Sequence, residues 1–290
     1  MDIYLPKIKI NFTAEEGIIL STFVAKHFTE PLLSVQYNFK STIKFLEPEL
    51  LYGFDVVMKG RPIEGGNSQN HWAVYKNGDD LAIEIIYNDN EFYNRTISVL
   101  SLHNNEFTVY LDLKSTVELP VIIDPFDPAF SSLNMFYISI FTDGFLVHAS
   151  GVYYNEIGHL FTAVSGTGKS TMAKLWDKRG ATLVNDDRLW ITQHNGEWYM
   201  ANTPMVWYAQ YPRVTPIHSV YLLRQSPTNE LTKLSGIKPA MQFMSNCPQH
   251  HFDKDMSSNF LDRVIDFTSN MDIYDLGFKP DQEVVDLLIS

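Results

Sequence analysis

The stretch that most limits what this chain can fold into is Ala163-Val164-Ser165-Gly166-Thr167-Gly168-Lys169-Ser170-Thr171. The apolar run His159-Leu160-Phe161-Thr162 leads into it, and a helix-compatible run beginning at Ser170 leads out. Two glycines flanking one residue permit a tight loop with positive φ, so the pattern predicts a strand, a tight loop and the start of a helix.

Such a loop turns several backbone N–H groups toward one point and leaves no bulky side chain in the way, which is the geometry that holds a phosphate. Lys169 would add a mobile positive charge for the outer phosphates, and the Ser170 hydroxyl a ligand for Mg²⁺. The helix that follows directs its unpaired N–H groups, with about +0.5 of an elementary charge, at the same place. The predicted nucleotide-binding residues are therefore Ser165, Gly166, Thr167, Gly168, Lys169, Ser170 and Thr171. Against the pattern G-x-x-x-x-G-K-[ST], Ala163 stands where the first glycine is expected.

A phosphate site has to work locally here, because the formal charge of the chain is −12. Repulsion at long range disfavours nucleic acid and anionic membrane as partners. One cysteine, Cys247, excludes an intramolecular disulfide and a cysteine-rich metal site. The first residues lack a basic start followed by an apolar core, and the most apolar stretch, Leu133 to Val147, is shorter than a span needs and contains Asp143. A cytoplasmic protein is the expectation.

With 290 residues the chain has room for two domains. Residues 1–125 are expected to form a β-rich domain, with strands at Ile8–Phe12, Phe54–Met58, Trp72–Tyr75, Leu81–Tyr87 and Phe107–Leu111. Asn77-Gly78 between two of them is a hairpin signal, and a helix is expected over Gly17–His27, where Ile18, Ile19, Phe23 and Val24 share a face. Prolines 120, 125 and 128 mark a boundary, so residues 126–290 form the second domain. It opens with a helix from Ala129 to about Phe141. A strand around Phe145–Tyr154 and a turn at Asn155–Gly158 follow, so the phosphate strand pairs with its predecessor as a hairpin. After the loop come a helix with Met172, Leu175 and Trp176 on its apolar face, a strand at Ala181–Val184, a hairpin around His194-Asn195-Gly196-Glu197 and a strand at Val220–Leu223. The tail from Met241 onward reads as helical in patches, best at Asp262–Phe267 and Gln282–Leu288.

Asn185-Asp186-Asp187 ends the strand that returns after the helix, and a strand-loop-helix-strand unit brings that end back beside the phosphate loop. Two carboxylates there suit phosphoryl transfer, in which one orients a metal on the phosphates and another deprotonates the acceptor. Asp187 is taken as the Mg²⁺ ligand together with Ser170, and Asp186 as the group facing the acceptor hydroxyl, the order between the two being open. Neighbouring side chains on an extended strand point to opposite faces unless the chain turns. The same tripeptide is also a well-solvated strand-ending turn. His148, on the strand before the loop, either packs in the sheet or faces the phosphates. Arg213 and Arg224 suit a phosphate or an ion pair equally, and Cys247-x-x-His250-His251 lacks a second pair of metal ligands.

The series His148-Ala149-Ser150-Gly151-Val152, Ser165 to Thr171, and Arg179-Gly180-Ala181-Thr182-Leu183-Val184-Asn185-Asp186-Asp187 resembles the catalytic domain of HPr kinase/phosphorylase, over about residues 128–225. That family shares its core with ATP-dependent phosphoenolpyruvate carboxykinase. The resemblance implies a mixed α/β P-loop domain of HPr-kinase/carboxykinase-like fold preceded by the β-rich domain. It further implies an ATP- and Mg²⁺-dependent kinase acting on a hydroxyl of an unidentified protein or small molecule. In it Lys169 is a catalytic phosphate ligand, Asp186 the acid/base and His148 a neighbour of the transferred phosphate. Self-assembly is implied as well, since the related kinase assembles. The late arginine-proline-glycine-arginine signature of that kinase is absent, which leaves the acceptor open. A nucleotide-binding regulator without turnover and a carboxykinase-like enzyme are the alternatives.

Overall fold

The computed structural model describes residues 1–21, 23, 25–60, 71–127, 132–204 and 212–289. They fall into two compact units, the first running from Met1 to Thr142 and the second from Asp143 to Thr203 and on from Pro212. Both are built on large sheets, and the whole is mixed α/β.

The first unit carries β1 (Asp2–Leu5), β2 (Ile8–Ala14), β3 (Ile18–Leu20), β4 (Tyr37–Phe45), β5 (Asp55–Gly60), β6 (His71–Asn77), β7 (Asp80–Ile86), β8 (Tyr93–Ser101), β9 (Glu106–Leu113), β10 (Val121–Ile123) and helix α1 (Ser132–Phe141). Eight of these strands form one sheet in the order β1-β2-β4-β9-β8-β7-β6-β5. The five predicted strands are all present, and β6 and β7 meet in antiparallel register with Asn77 opposite Asp80 and Gly78 at φ 59°. The helix expected over Gly17–His27 is replaced by β3, which pairs in parallel with β10, and by a single 3₁₀ turn at Ala25–His27. Residues 22 and 24 of that stretch lie outside the described residues. β-branched Ile18 and Ile19 lose side-chain freedom in a helix and suit a strand, and a partner strand over a hundred positions away supplied what local periodicity could not show. Helix α1 belongs to this first unit, and the first residues of its expected span, 129–131, lie outside the described residues.

The second unit contains β11 (Gly144–Tyr154), β12 (Ile157–Thr162), α2 (Lys169–Lys178), β13 (Thr182–Asn185), β14 (Arg188–His194), β15 (Glu197–Asn202), β16 (Val214–Pro216), β17 (Ser219–Gln225), β18 (Glu230–Lys233), α3 (Ile237–Met244), α4 (Lys254–Ser269), β19 (Asp272–Phe278) and α5 (Glu283–Ile289). Its sheet runs β16-β15-β14-β11-β12-β17-β19-β18, with β13 also paired to β11. Alternating residues build two cores, one on each face of the sheet. On one, Phe145, Val147, Ala149, Leu160 and Val220 pack with Phe243, Phe260, Val264 and Phe267 of α3 and α4. On the other, Val152, Phe161, Tyr221 and Leu276 pack with Met172, Leu175 and Trp176 of α2 and with Val284 and Val285 of α5.

The predicted hairpin of β11 and β12 is present, turning through Asn155 and Glu156 at positive φ. On its other side β12 has a parallel neighbour, β17, and β17 in turn pairs in parallel with β19. The two patches of the tail expected to be helical fall in α4 and α5, and β19 lies between them where the sequence pattern named no element. Burial along β19 deepens toward Leu276-Gly277-Phe278, as in a strand entering a sheet covered on both faces. Among the described residues no helix is long and apolar enough to cross a membrane.

Candidate functional site

Strand β12 delivers the chain to the loop between Ala163 and Gly168 at the carboxyl edge of the sheet. Gly166 stands at φ 81° with open space around it, and Gly168 at φ 122°, where a Cβ would lie 2.7 Å from the Phe278 ring. Helix α2 begins immediately, Met172 donating to the Gly168 carbonyl at 2.9 Å. Because the capping residue is a glycine with no side chain to bond the first turn, the leading N–H groups of α2 face the loop. Ala163, at the position of the expected glycine, has ordinary φ and a buried methyl packed among Phe161, Met172 and Leu175. The departure from the pattern serves the core.

Lys169 folds back under the loop. Its Nζ donates to the Ala163 carbonyl at 2.8 Å and to the Val164 carbonyl at 3.5 Å, and the residue is 5% exposed. Burial pulls its ammonium below the ordinary lysine range, and the Asp187 carboxylate pushes in the opposite direction. Ser165, Ser170 and Thr171 are exposed, and Thr167 is half-buried, its N–H on the Val164 carbonyl at 3.3 Å.

Strand β11 is what brings the acidic pair back. It lies between β12 and the β13–β14 segment, with Ala149 opposite Thr162, Gly151 opposite Asn185 and His148 opposite Arg188. The end of β12 and the Asp186-Asp187 step therefore stand level, one on each side of β11. The chain bends at Asp186-Asp187, between β13 and β14, so the two carboxylates escape strict alternation. Asn185, 3% exposed, pins this bend from within: its Nδ2 donates to the Arg188 carbonyl at 2.7 Å, and its Oδ1 accepts from the Asp186 N–H at 2.9 Å.

Asp187 is the carboxylate turned toward the histidine. Its Oδ1 lies 3.7 Å from His148 Nε2 and its Oδ2 3.9 Å from Arg188 Nε, charge contacts longer than hydrogen bonds. His148 alternates with Val147 and Ala149 of the α3/α4 face, so its ring takes the face that carries α2. Burial first, then the Lys169 and Arg188 charges, hold its pKa below the usual histidine value against the pull of Asp187. Arg188 is a site neighbour that sequence reasoning did not single out, while the sequence pattern shows Asn185 only as part of the strand-ending turn and His250 only as part of an incomplete metal pattern. Burial first, then the His251 and Arg188 charges, bring the pKa of His250 down to about 4. Adjacency to the acidic pair was the only available signal for Arg188.

No family model matches the chain, and no curated protein matches it. Among solved structures it is similar to the HPr(Ser) kinase/phosphatase from Coxiella burnetii, with 13% sequence identity and a TM-score of 0.26 over 49% of this chain and 90% of that one. This is a distant structural likeness only.

The remaining sequence candidates lie apart from this arrangement. Arg224 is ion-paired with Asp275 and Glu230, both at 2.7 Å, and Arg213 donates to the Leu183 carbonyl at 2.6 Å. Cys247 is buried with its thiol on the Phe243 carbonyl, burial raising its pKa, and the His251 ring lies against Phe260.

The donors present fit a magnesium nucleotide. Loop amides, a helix start and a lysine suit phosphates, and the hydroxyl of Ser170 with the carboxylate of Asp187 are hard oxygen donors. Among the described residues no three His, Cys, Asp or Glu side chains form a metal cage. Mg²⁺ needs none, since it is commonly held by one or two carboxylates together with substrate phosphates. A cavity of about 540 Å³ adjoins the loop on its other side, lined by Gly166, Thr167, Gly168 and Thr171 and by residues from the ends of β17 and β19.

Proposed function

We propose that this chain is an ATP- and Mg²⁺-dependent phosphotransferase that moves the γ-phosphate to a hydroxyl of an unidentified protein or small-molecule acceptor. The observation that carries this reading is the convergence of buried Lys169 with His148 and Asp187 at one level of the sheet edge, beside a glycine loop that opens a helix. The motif series resembling HPr kinase supports it further. In the step itself the acceptor oxygen forms a bond to the γ-phosphorus, the bond from that phosphorus to the β–γ bridging oxygen breaks, and ADP leaves. Asp186 takes the acceptor proton. Lys169 and the loop amides hold the phosphate oxygens, and His148 lies beside the transferring group. Ser170 and Asp187 would hold the magnesium ion, which would supply charge neutralisation to the phosphates when bound.

The test is transfer of labelled γ-phosphate from ATP into a metabolite and protein panel, run beside Lys169→Ala. Transfer that depends on Lys169 is expected. If Mg-ATP fails to raise the unfolding temperature of the parent protein, the nucleotide reading is overturned, because a ligand specific to the folded state must stabilise it.

A further inference from the structure

Strand order gives a bound nucleotide a direction. The phosphate loop hangs from β12, with β11, β14 and the His148–Asp187 contact on one side and the parallel strands β17 and β19 on the other. The cavity lies on that second side. Gln225, Ser226 and Pro227 leave the end of β17 to form one wall, and Phe278 and Pro280 leave the end of β19 to form another. The walls are fastened to each other and to the loop's helix. Ser226 N–H donates to the Phe278 carbonyl at 3.1 Å, Lys279 N–H donates to Asn229 Oδ1 at 2.9 Å, and Gln282 Nε2 donates to the Leu175 carbonyl of α2 at 3.2 Å. A volume of about 540 Å³ is in the range of small-molecule sites, roughly 300 to 1,000 Å³. Its lining combines flat apolar surface from two prolines and an aromatic edge with the amide of exposed Gln225 and hydroxyls from Ser226, Thr167 and Thr171. That combination suits a heteroaromatic base carrying a sugar.

We infer that this cavity is the nucleoside subsite, so that the triphosphate crosses the loop from Gln225, Pro227 and Pro280 toward Lys169, with its terminal phosphate at His148 and Asp187. The inference rests on the phosphotransferase reading of the loop and adds the seat and orientation of the nucleoside. It also leaves the side of β11 and β14 for the acceptor.

Titration calorimetry with Mg-ATP and with Mg-tripolyphosphate, on the parent and on Gln225→Trp, separates the two levels. Gln225 is exposed at a strand end, so an indole there fills the cavity without disturbing a core. The parent is expected to bind Mg-ATP at least about tenfold more tightly than Mg-tripolyphosphate. Gln225→Trp is expected to erase that advantage and leave tripolyphosphate affinity unchanged, which also shows that the variant is folded. Equal affinity of the parent for the two ligands, or an ATP advantage that survives in the variant, overturns the subsite while leaving the phosphate loop intact. Binding of neither ligand by the parent overturns the loop reading and the subsite with it.

Discussion

At position 168 the backbone stands at φ 122°, and a Cβ built there would lie 2.7 Å from Phe278 Cζ. Gly166, at φ 81°, faces open space. An alanine at either position meets backbone strain of about 1 to 2 kcal/mol, and at 168 overpacking against a buried ring adds about 1 to 3 kcal/mol. Urea unfolding is therefore expected to show Gly168→Ala destabilised by about 2 to 5 kcal/mol and Gly166→Ala by about 1 to 2 kcal/mol. Equal losses would show that Phe278 yields without cost. His159 makes a second residue-scale case. It is 5% exposed, stacked on Trp176 with centroids 4.6 Å apart, with Nδ1 3.2 Å from the Tyr221 hydroxyl. Burial pushes its pKa down to about 4. The folded state thus resists a proton that the unfolded chain accepts near 6.5, so stability present at neutral pH is lost as pH falls below 6.5, until protonation of the native state near 4 ends the decline. Between pH 7 and 5 this amounts to about 2 kcal/mol from this one group. His159→Phe should remove that share of the acid loss, measured as the difference between parent and variant at the two pH values. A variant with the parent's full pH slope would place the effect elsewhere, His250 being the next group to test.

Among the elements, the bend between β13 and β14 carries the division of labour proposed for the two aspartates. Asp187 faces His148 and the field of Lys169, while Asp186 has its N–H held by Asn185 and no charge contact to either. Asp186→Asn is expected to lower kcat by about 10² to 10⁴ with little change in ATP affinity. Asp187→Asn is expected to weaken Mg²⁺-dependent ATP binding first. The reverse pattern in steady-state kinetics and calorimetry would exchange the roles. Helix α4 offers an independent check on local rules: Asp253 Oδ1 accepts from the Met256 N–H at 2.8 Å, so Asp253→Ala should cost about 1 kcal/mol in chemical unfolding. Elements with strong local signals were legible in the chain. The hairpin turn at Asn77-Gly78, the turn at Asn195-Gly196 and the helix led by Lys169 all follow from residues that accept positive φ or share an apolar face. Ile18–Leu20 and β19 were not, because each is a strand only by virtue of a partner distant in sequence.

Over the whole molecule, each unit has its own sheet, and the two cores flanking the second sheet are built from residues of the second unit alone. Calorimetric unfolding is expected to show two transitions, and saturating Mg-ATP should raise only the one belonging to the second unit, by about 2.7 kcal/mol at a hundredfold excess over Kd. A shift of the other transition alone would remove the nucleotide from the loop at Ala163 to Thr171. By itself the sequence determined the strand, loop and helix around Lys169, since backbone sterics at two glycines and the periodicity of the following residues are local properties. It also put Asp186 and Asp187 at a strand end. Tertiary structure alone decided which carboxylate turns to His148, that Arg188 and His250 join them, and that the ends of β17 and β19 enclose a cavity on the opposite side of the loop. Those outcomes depend on which strands become neighbours and in what register, and pairings between distant segments leave no signature in the residues of either segment alone.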